Sequence, residues 1–342
     1  MRQSVLVGLA VLTATGGGRA DEAEEKAVKR LERFRPEIVR DEARPGKPVV
    51  RVLIYGSTFT DDDFSQVTDL KNMVQLHVNS PKVTGAGLKH LTGLNKLIAI
   101  DLGGTKTTDD GLKALGEMTW LQVLILEKTA VTDAGLKELA PLRKLDLLVL
   151  QKTAVTDAGL KELTALPKLN VLNLSDTTVT DAGMTQVAKL PALGQLDVSK
   201  TKVTDAGLKE LGGLKWLQSL NLLDTEVTDA GVIDVAGRLK LTHFAAGGKG
   251  ITDAAVTELA KIPTLLELNL RGAAVTDAGV KELTRLKYLY YLNLNSTKVT
   301  DEALKHLAGM KQLGALNVGG TKVTMDAIKE FFKALPKCKI SL

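Results

Sequence analysis

Few side chains in this chain of 342 residues are suited to chemistry. Its four histidines are His77, His90, His243 and His306, and its one cysteine is Cys338. A single cysteine closes no disulfide within the chain and supports no metal site built on paired thiolates. Nucleophilic catalysis needs a base and an orienting carboxylate beside the nucleophile, and no serine, histidine and carboxylate fall together in the sequence. No phosphate-binding glycine loop is present either. The densest acidic run, Asp61-Asp62-Asp63, has the charge to attract a cation. It also stands where a helix would begin, and acids suit the positive end of a helix dipole. These features point away from an enzyme and towards a chain with no cofactor and no metal, which leaves binding as the chemistry to be sought.

The elements that would display a binding surface repeat. Val131 to Leu139 reads VTDAGLKEL, and the same nine residues stand at 155–163 and 203–211. Steps of 24 from Val131-Thr132 find a matching pair each time from Phe59-Thr60 to Val323-Thr324, twelve copies with no insertion. Each unit has two halves. The alternation of Leu124 and Leu126, ahead of Thr129, predicts a short strand. Leu136, Leu139 and Leu142, three apart, predict the buried face of a short helix. Thr132 suits the N-cap, Asp133 favours the dipole at the first helical position, and Val131 and Leu136 have hydrophobic-staple spacing. The aspartate recurs in ten units, the exceptions being Gly85 and Met325. Gly135 recurs in eight. Glycine inside a helix costs roughly 0.5–1 kcal/mol against alanine, so neighbouring repeats are expected to crowd there.

These units resemble leucine-rich repeats from about Val49 to Leu342. The I/V-T-D-x-G-L signature is similar to that of F-box-type ubiquitin-ligase receptors and of related bacterial repeats. Where those receptors carry cysteine, this chain has Thr129, Thr153, Thr177, Thr201 and Thr225. The resemblance implies an α/β leucine-rich repeat solenoid: a right-handed horseshoe with a parallel concave sheet, short convex helices and twelve 24-residue repeats. At a strand spacing of ~4.8 Å the sheet would extend roughly 55 Å. Residues 49–336 would hold the repeats and 337–342 a C-terminal capping half-repeat, with Cys338 a buried or semi-buried cap residue. Residues 21–48 place Ala27, Leu31, Phe34 and Ile38 at helical spacing, which reads as an N-terminal cap helix broken near Pro36, or else as a solvated linker. Residues 1–20 carry Arg2, an apolar run from Val5 to Leu12 and Gly18-Arg19-Ala20, the pattern of a signal peptide. That run is far shorter than the ~20 residues of a transmembrane helix. The expectation is an exported protein, periplasmic, cell-surface or secreted, with no membrane insertion after signal removal.

In this fold the outward strand residues line the concave face. Val123, Ile125, Leu147, Val149 and Val171 would form an apolar patch over three units, flanked by Glu127 and Gln151, and exposed apolar patches mark interaction sites. A polar column follows: Asn173, Asp197 and Asn221, then Asn269, Asn293 and Asn317. Asparagine donates and accepts, so the column suits an extended peptide or a glycan; a hydrated face with stacked asparagines is the other reading. Asp101 and Glu127 are placed as neighbours on the sheet and read as a binding detail. His77 and His243 would lie seven strands, or roughly 33 Å, apart.

Nucleic acid is not an expected partner. The concave face holds only Arg51 and Arg271 as bases, and Tyr55 and Tyr291 as aromatics, which is no phosphate track with stacking platforms. The net charge of +5, from 45 basic and 40 acidic residues, is spread along the chain. Trp120, Trp216 and Tyr288 share one repeat column at the helix-to-strand turn and read as packing or as a side-on contact. The segment LTHFAAGGKG, 241–250, departs from the pattern and reads as repeat decay, a hinge or a close-approach site. The expected function is non-catalytic binding, chiefly of another protein, on the concave face from Val123 to Asn173. The alternatives are a glycan or cell-wall binder using the asparagines, and an intracellular adaptor resembling the F-box substrate receptors.

Overall fold

The computed structural model describes residues 22–56 and 58–342; the signal-peptide reading of 1–20 lies outside them. Among the described residues, fourteen strands form one sheet in sequence order. β1 (Glu37–Arg40) is antiparallel to β2 (Val49–Tyr55), and each later strand is parallel to the one before. β3 (Gln75–Asn79) is followed by β4 (Ala99–Asp101), β5 (Val123–Ile125), β6 (Leu147–Val149), β7 (Val171–Asn173) and β8 (Gln195–Asp197). The sheet continues through β9 (Ser219–Leu222), β10 (His243–Ala246), β11 (Glu267–Asn269), β12 (Tyr291–Asn293), β13 (Ala315–Asn317) and β14 (Lys339–Ser341). Each residue faces the one a repeat later, as in Val123↔Leu147↔Val171↔Gln195.

The core is a stack of leucine layers. In one unit Leu121, Leu124, Leu126, Val131, Leu136, Leu139 and Leu142 are all fully buried. Each such side chain contributes about 1.5–3 kcal/mol of transfer free energy. A single unit has one layer and two open faces, so the burial exists only because neighbours cover both.

Two devices turn the chain after most of the strands. The first is a left-handed residue at a fixed place in ten successive units, Gly104, Lys128, Lys152, Asp176, Lys200, Asp224, Gly248, Gly272, Ser296 and Gly320, with φ from 55° to 87°. The second is the threonine that follows. The hydroxyl of Thr129 donates to the Leu126 carbonyl at 2.7 Å. Thr153, Thr177, Thr201 and Thr225 do the same to the carbonyl three residues back. A threonine hydroxyl thus closes the turn at the same place in five successive units.

The helical half confirms the cap and enlarges the role of its aspartate. The Thr132 hydroxyl accepts from Ala134 N–H at 3.2 Å. The Asp109 carboxylate accepts from both Thr132 N–H, 2.8 Å, and Thr132 Oγ1, 2.7 Å. The same pair of bonds links Asp133 to Thr156, Asp157 to Thr180, Asp181 to Thr204, and onwards to Asp301 and Thr324. Each aspartate therefore ties its repeat to the next. Gly85 has no carboxylate to give, and there Thr108 N–H turns to the Thr84 carbonyl at 3.0 Å. The crowding expected at Gly135 is real and its source is this ladder: a side-chain carbon there would collide with Asp109 Oδ1.

The first two units depart from the expected α-helix. Asp61–Val67 and Ala86–Leu91 are 3-10 helices, and the second starts from Gly85 at φ 98° rather than from a threonine–aspartate cap. At the N-terminal end, α1 (Glu22–Leu31) and the turn Glu32–Phe34 bury Ala27, Leu31 and Phe34 against the first repeat. Ile38 lies on β1, not on a helix, because Arg35 is left-handed and Pro36 follows it. At the other end the helix Met325–Ala334 and β14 close the last layer, and Cys338 is buried there, which pushes its thiol pKa up. The glycine-rich segment keeps register, since β10 pairs with β9 and with β11. Gly247 is needed there because a side-chain carbon would collide with the Arg271 carbonyl.

Candidate functional site

The concave strands enclose a groove of about 440 Å³. Ile125, Leu147, Val149 and Val171 give it an apolar floor; Glu127, Gln151, Asn173, Asp197 and Asn221 border it. Most of the residues expected to bind are thus brought together. Three are not: Val123 lies beside the floor in the same apolar cluster, while Asn269 and Asn293 fall outside, beyond Ala245, which interrupts the column between Asn221 and Asn269.

The patch is more closed than the sequence suggests. Val123 is 3%, Ile125 4% and Leu147 5% exposed, because branched side chains on strands spaced a few ångströms apart cover one another and Ala99. Val149 and Val171 are the partly exposed members that a partner can reach.

The polar column has a local task as well. Asn173 Oδ1 accepts from the backbone N–H and the hydroxyl of Ser175, at 2.8 and 2.7 Å. Asp197 accepts in the same way from Ser199 and also receives Asn221 Nδ2 at 3.0 Å. Asn221, Asn269 and Asn293 each accept from the N–H two residues on. The carbonyl side of these amides is therefore engaged in closing the strand ends, and Asn221 also commits one Nδ2 hydrogen to Asp197.

Other expected groups are accounted for singly. Asp101 lies opposite Ile125, so Glu127, two residues further on, is its diagonal neighbour and not its direct partner. Its partner is His77 on the adjacent strand, with Nδ1 2.6 Å from Asp101 Oδ2 and both side chains buried. The spacing of 24 between 77 and 101 carries this pairing, and reading each face unit by unit misses it. In the Asp61-Asp62-Asp63 run the carboxylates serve different partners. Asp61 holds Thr84 and the N–H groups of Gly85 and Gly87, while Asp63 takes Thr60 and Arg33. Burial pushes Asp61 up, but its hydrogen bonds from Gly87, Thr84 and Gly85 outweigh that and hold its pKa below the ordinary value.

The aromatic column divides. Trp120 is half-buried and donates Nε1–H to the Leu97 carbonyl at 3.0 Å, as packing requires. Trp216 and Tyr288 are 66% and 64% exposed, so the packing reading does not extend to them. Among the described residues, no helix is long and apolar enough to cross a membrane.

The comparisons agree with this geometry. A family model described as a leucine-rich repeat region matches residues 64–252, and a second leucine-rich repeat model matches 261–283. The search of curated proteins returns no match. Among solved structures, an internalin (inlF) of Listeria monocytogenes superposes with a TM-score of 0.52 at 18% identity, covering 94% of this chain and 95% of that one. An internalin C2 (inlC2) of the same organism, at TM-score 0.47 and 20% identity, covers 76% of this chain and 100% of its own, and is too distant to argue from. The first likeness is one of fold, the open parallel sheet with helices on its other side, and with a repeat-region match over more than half its length the chain belongs to the leucine-rich repeat family.

Proposed function

We infer that the chain is a non-catalytic protein-binding scaffold that works outside the cytoplasm and seats its partner in the concave groove. The observation that carries this reading is the groove itself: an apolar floor at Val149 and Val171 beside Glu127, Gln151 and Asn173. Burial of the floor would supply affinity, and the surrounding polar groups would fix orientation. Export rests on the N-terminal pattern of residues 1–20. The asparagine column supports a glycan less well, since its carbonyls are engaged by the chain's own turns.

The test is the double variant Val149→Asp, Val171→Asp, compared with the native chain in co-purification from the exported fraction. Partner recovery falls at least tenfold while the thermal transition persists. Undiminished recovery contradicts the reading.

A further inference from the structure

A second groove, of about 820 Å³, runs along the N-terminal ends of the strands, where the helices hand over to the sheet. It crosses β7 to β11 and meets the concave groove at Gln195 and Ser219. Trp216 stands over it with two-thirds of its surface in water. Packing does not demand an aromatic here, because the same position holds Lys144, Lys168 and Lys240 in nearby units.

The surroundings of the indole are specific. A side-chain carbon at Gly194 would collide with Asn170 Oδ1, so the glycine keeps the floor open and lets the Asn170 amide lie against it. Gln195 and Gln218 are exposed on either side. At the far end Thr242 Oγ1 lies 2.8 Å from His243 Nδ1, and His243 Nε2 lies 3.7 Å from Glu267 Oε1. Among the described residues, neither lysine nor arginine lines the groove, although the chain has 45 of them. Lys168 and Lys240, which hold the Trp216 position in other units, stay out of its lining, so no lysine or arginine is built into its wall as the anchor of an anionic ligand.

What remains is an accessible flat aromatic face beside three primary amides, an imidazole and a carboxylate. A pyranose ring presents an apolar C–H face that stacks on an indole, and a rim of hydroxyls that each donate and accept. Amides supply both roles, and a carboxylate accepts from two hydroxyls at once. A groove of this volume lies in the range of small-ligand sites. We propose that it binds a neutral oligosaccharide, with Trp216 as the stacking platform and Asn170, Gln195, Gln218 and Glu267 as hydroxyl partners. This site is separate from the protein-binding groove, although the two adjoin.

The experiment probes the full chain against an array of uncharged gluco-, galacto-, manno- and N-acetylhexosamine oligosaccharides in both anomeric linkages, followed by calorimetry on the strongest responder. The expected result is saturable binding that weakens at least tenfold in Trp216→Ala and severalfold in Gln218→Ala. Val149→Asp, Val171→Asp retains it, which separates this site from the concave one. Trp216 is exposed, so its loss should leave the far-ultraviolet circular dichroism of the backbone unchanged, and Gln218→Ala gives an independent reading. No saturable response to any sugar, or a response that both Trp216→Ala and Gln218→Ala keep, overturns the proposal. So does Trp216-dependent binding of a proline-rich peptide with none to the sugars, which would make this a peptide groove.

Discussion

The carboxylate of Asp133 takes both the backbone N–H and the hydroxyl of Thr156, at 2.8 and 2.6 Å, across the boundary between two repeats. The leucine layers hold repeats together without direction, whereas this bond pair fixes register. A carboxylate at a helix start gains from the dipole, and here it also satisfies a backbone donor that the neighbouring helix start would otherwise leave to water.

Removing one rung therefore costs more than an ordinary surface aspartate. Hydrogen bonds to a charged acceptor contribute about 1.5–3 kcal/mol each when sheltered, and half-exposure reduces this. Asp181→Ala is expected to lower unfolding free energy by about 2–3 kcal/mol. Asp181→Asn, which keeps one acceptor oxygen, should lose about half as much. Urea unfolding of the two variants measures both values.

The pH dependence follows from Asp61, whose pKa is held below its ordinary value of 3.8 by hydrogen bonds from Gly87, Thr84 and Gly85. A carboxyl with a depressed folded pKa adds stability that is fully present above its unfolded pKa and is lost as pH falls through the folded one. The native chain should thus begin to lose this contribution below about pH 3.8. Asp61→Asn should be less stable at neutral pH, and the gap between the two proteins should narrow as the pH falls further. Thermal transitions recorded from pH 7 to pH 2 follow the gap directly.

Gly159 tests the space around the ladder. A side-chain carbon there would press on Asp133 Oδ1. Ala255 occupies the equivalent place in another unit, and there Asp229 still holds Thr252. Gly159→Ala should change stability by less than about 1 kcal/mol, since the gain in helix propensity offsets the displacement of the carboxylate. Gly159→Leu should cost about 3 kcal/mol through overpacking. Equal stability of the two variants would mean that the ladder yields freely.

The left-handed turn makes a prediction of opposite sign. Lys152 sits at φ 55°, where Gly104, Gly248, Gly272 and Gly320 stand in other units. L-residues there carry roughly 1–2 kcal/mol of strain. Lys152→Gly should raise stability by a few tenths to about 1 kcal/mol, while Lys152→Val, β-branched, should lower it by about 1–2 kcal/mol. The shift of the unfolding midpoint gives the sign of each.

Much of the architecture is legible in single residues. Leu124 and Leu126 mark the strand, Leu136 and Leu139 mark the helix face, and the period of 24 sets which residues pair across the sheet. What escapes a local reading is contact across one period. The aspartate of VTDAG looks complete as a dipole charge at its own helix, so nothing nearby signals that it reaches Thr156. His77 and Asp101 are ordinary until the shift of 24 sets them side by side. The burial of Ile125 depends on Val123, Leu147 and Ala99 closing round it, which a list of outward positions does not convey. The exposure of Trp216 is equally hidden, because Trp120 in the same column is half-buried.

The central claim is that a partner lies on the concave floor. A photo-crosslinking amino acid is placed at Val171 in one version of the full chain and at Ile233, 43% exposed on the helix Asp229–Ala236, in another. Both are irradiated in cells. The account predicts a discrete protein adduct from position 171, lost when Val149 is changed to Asp, and none from position 233. The same adduct from both positions, or an adduct from 233 alone, contradicts it.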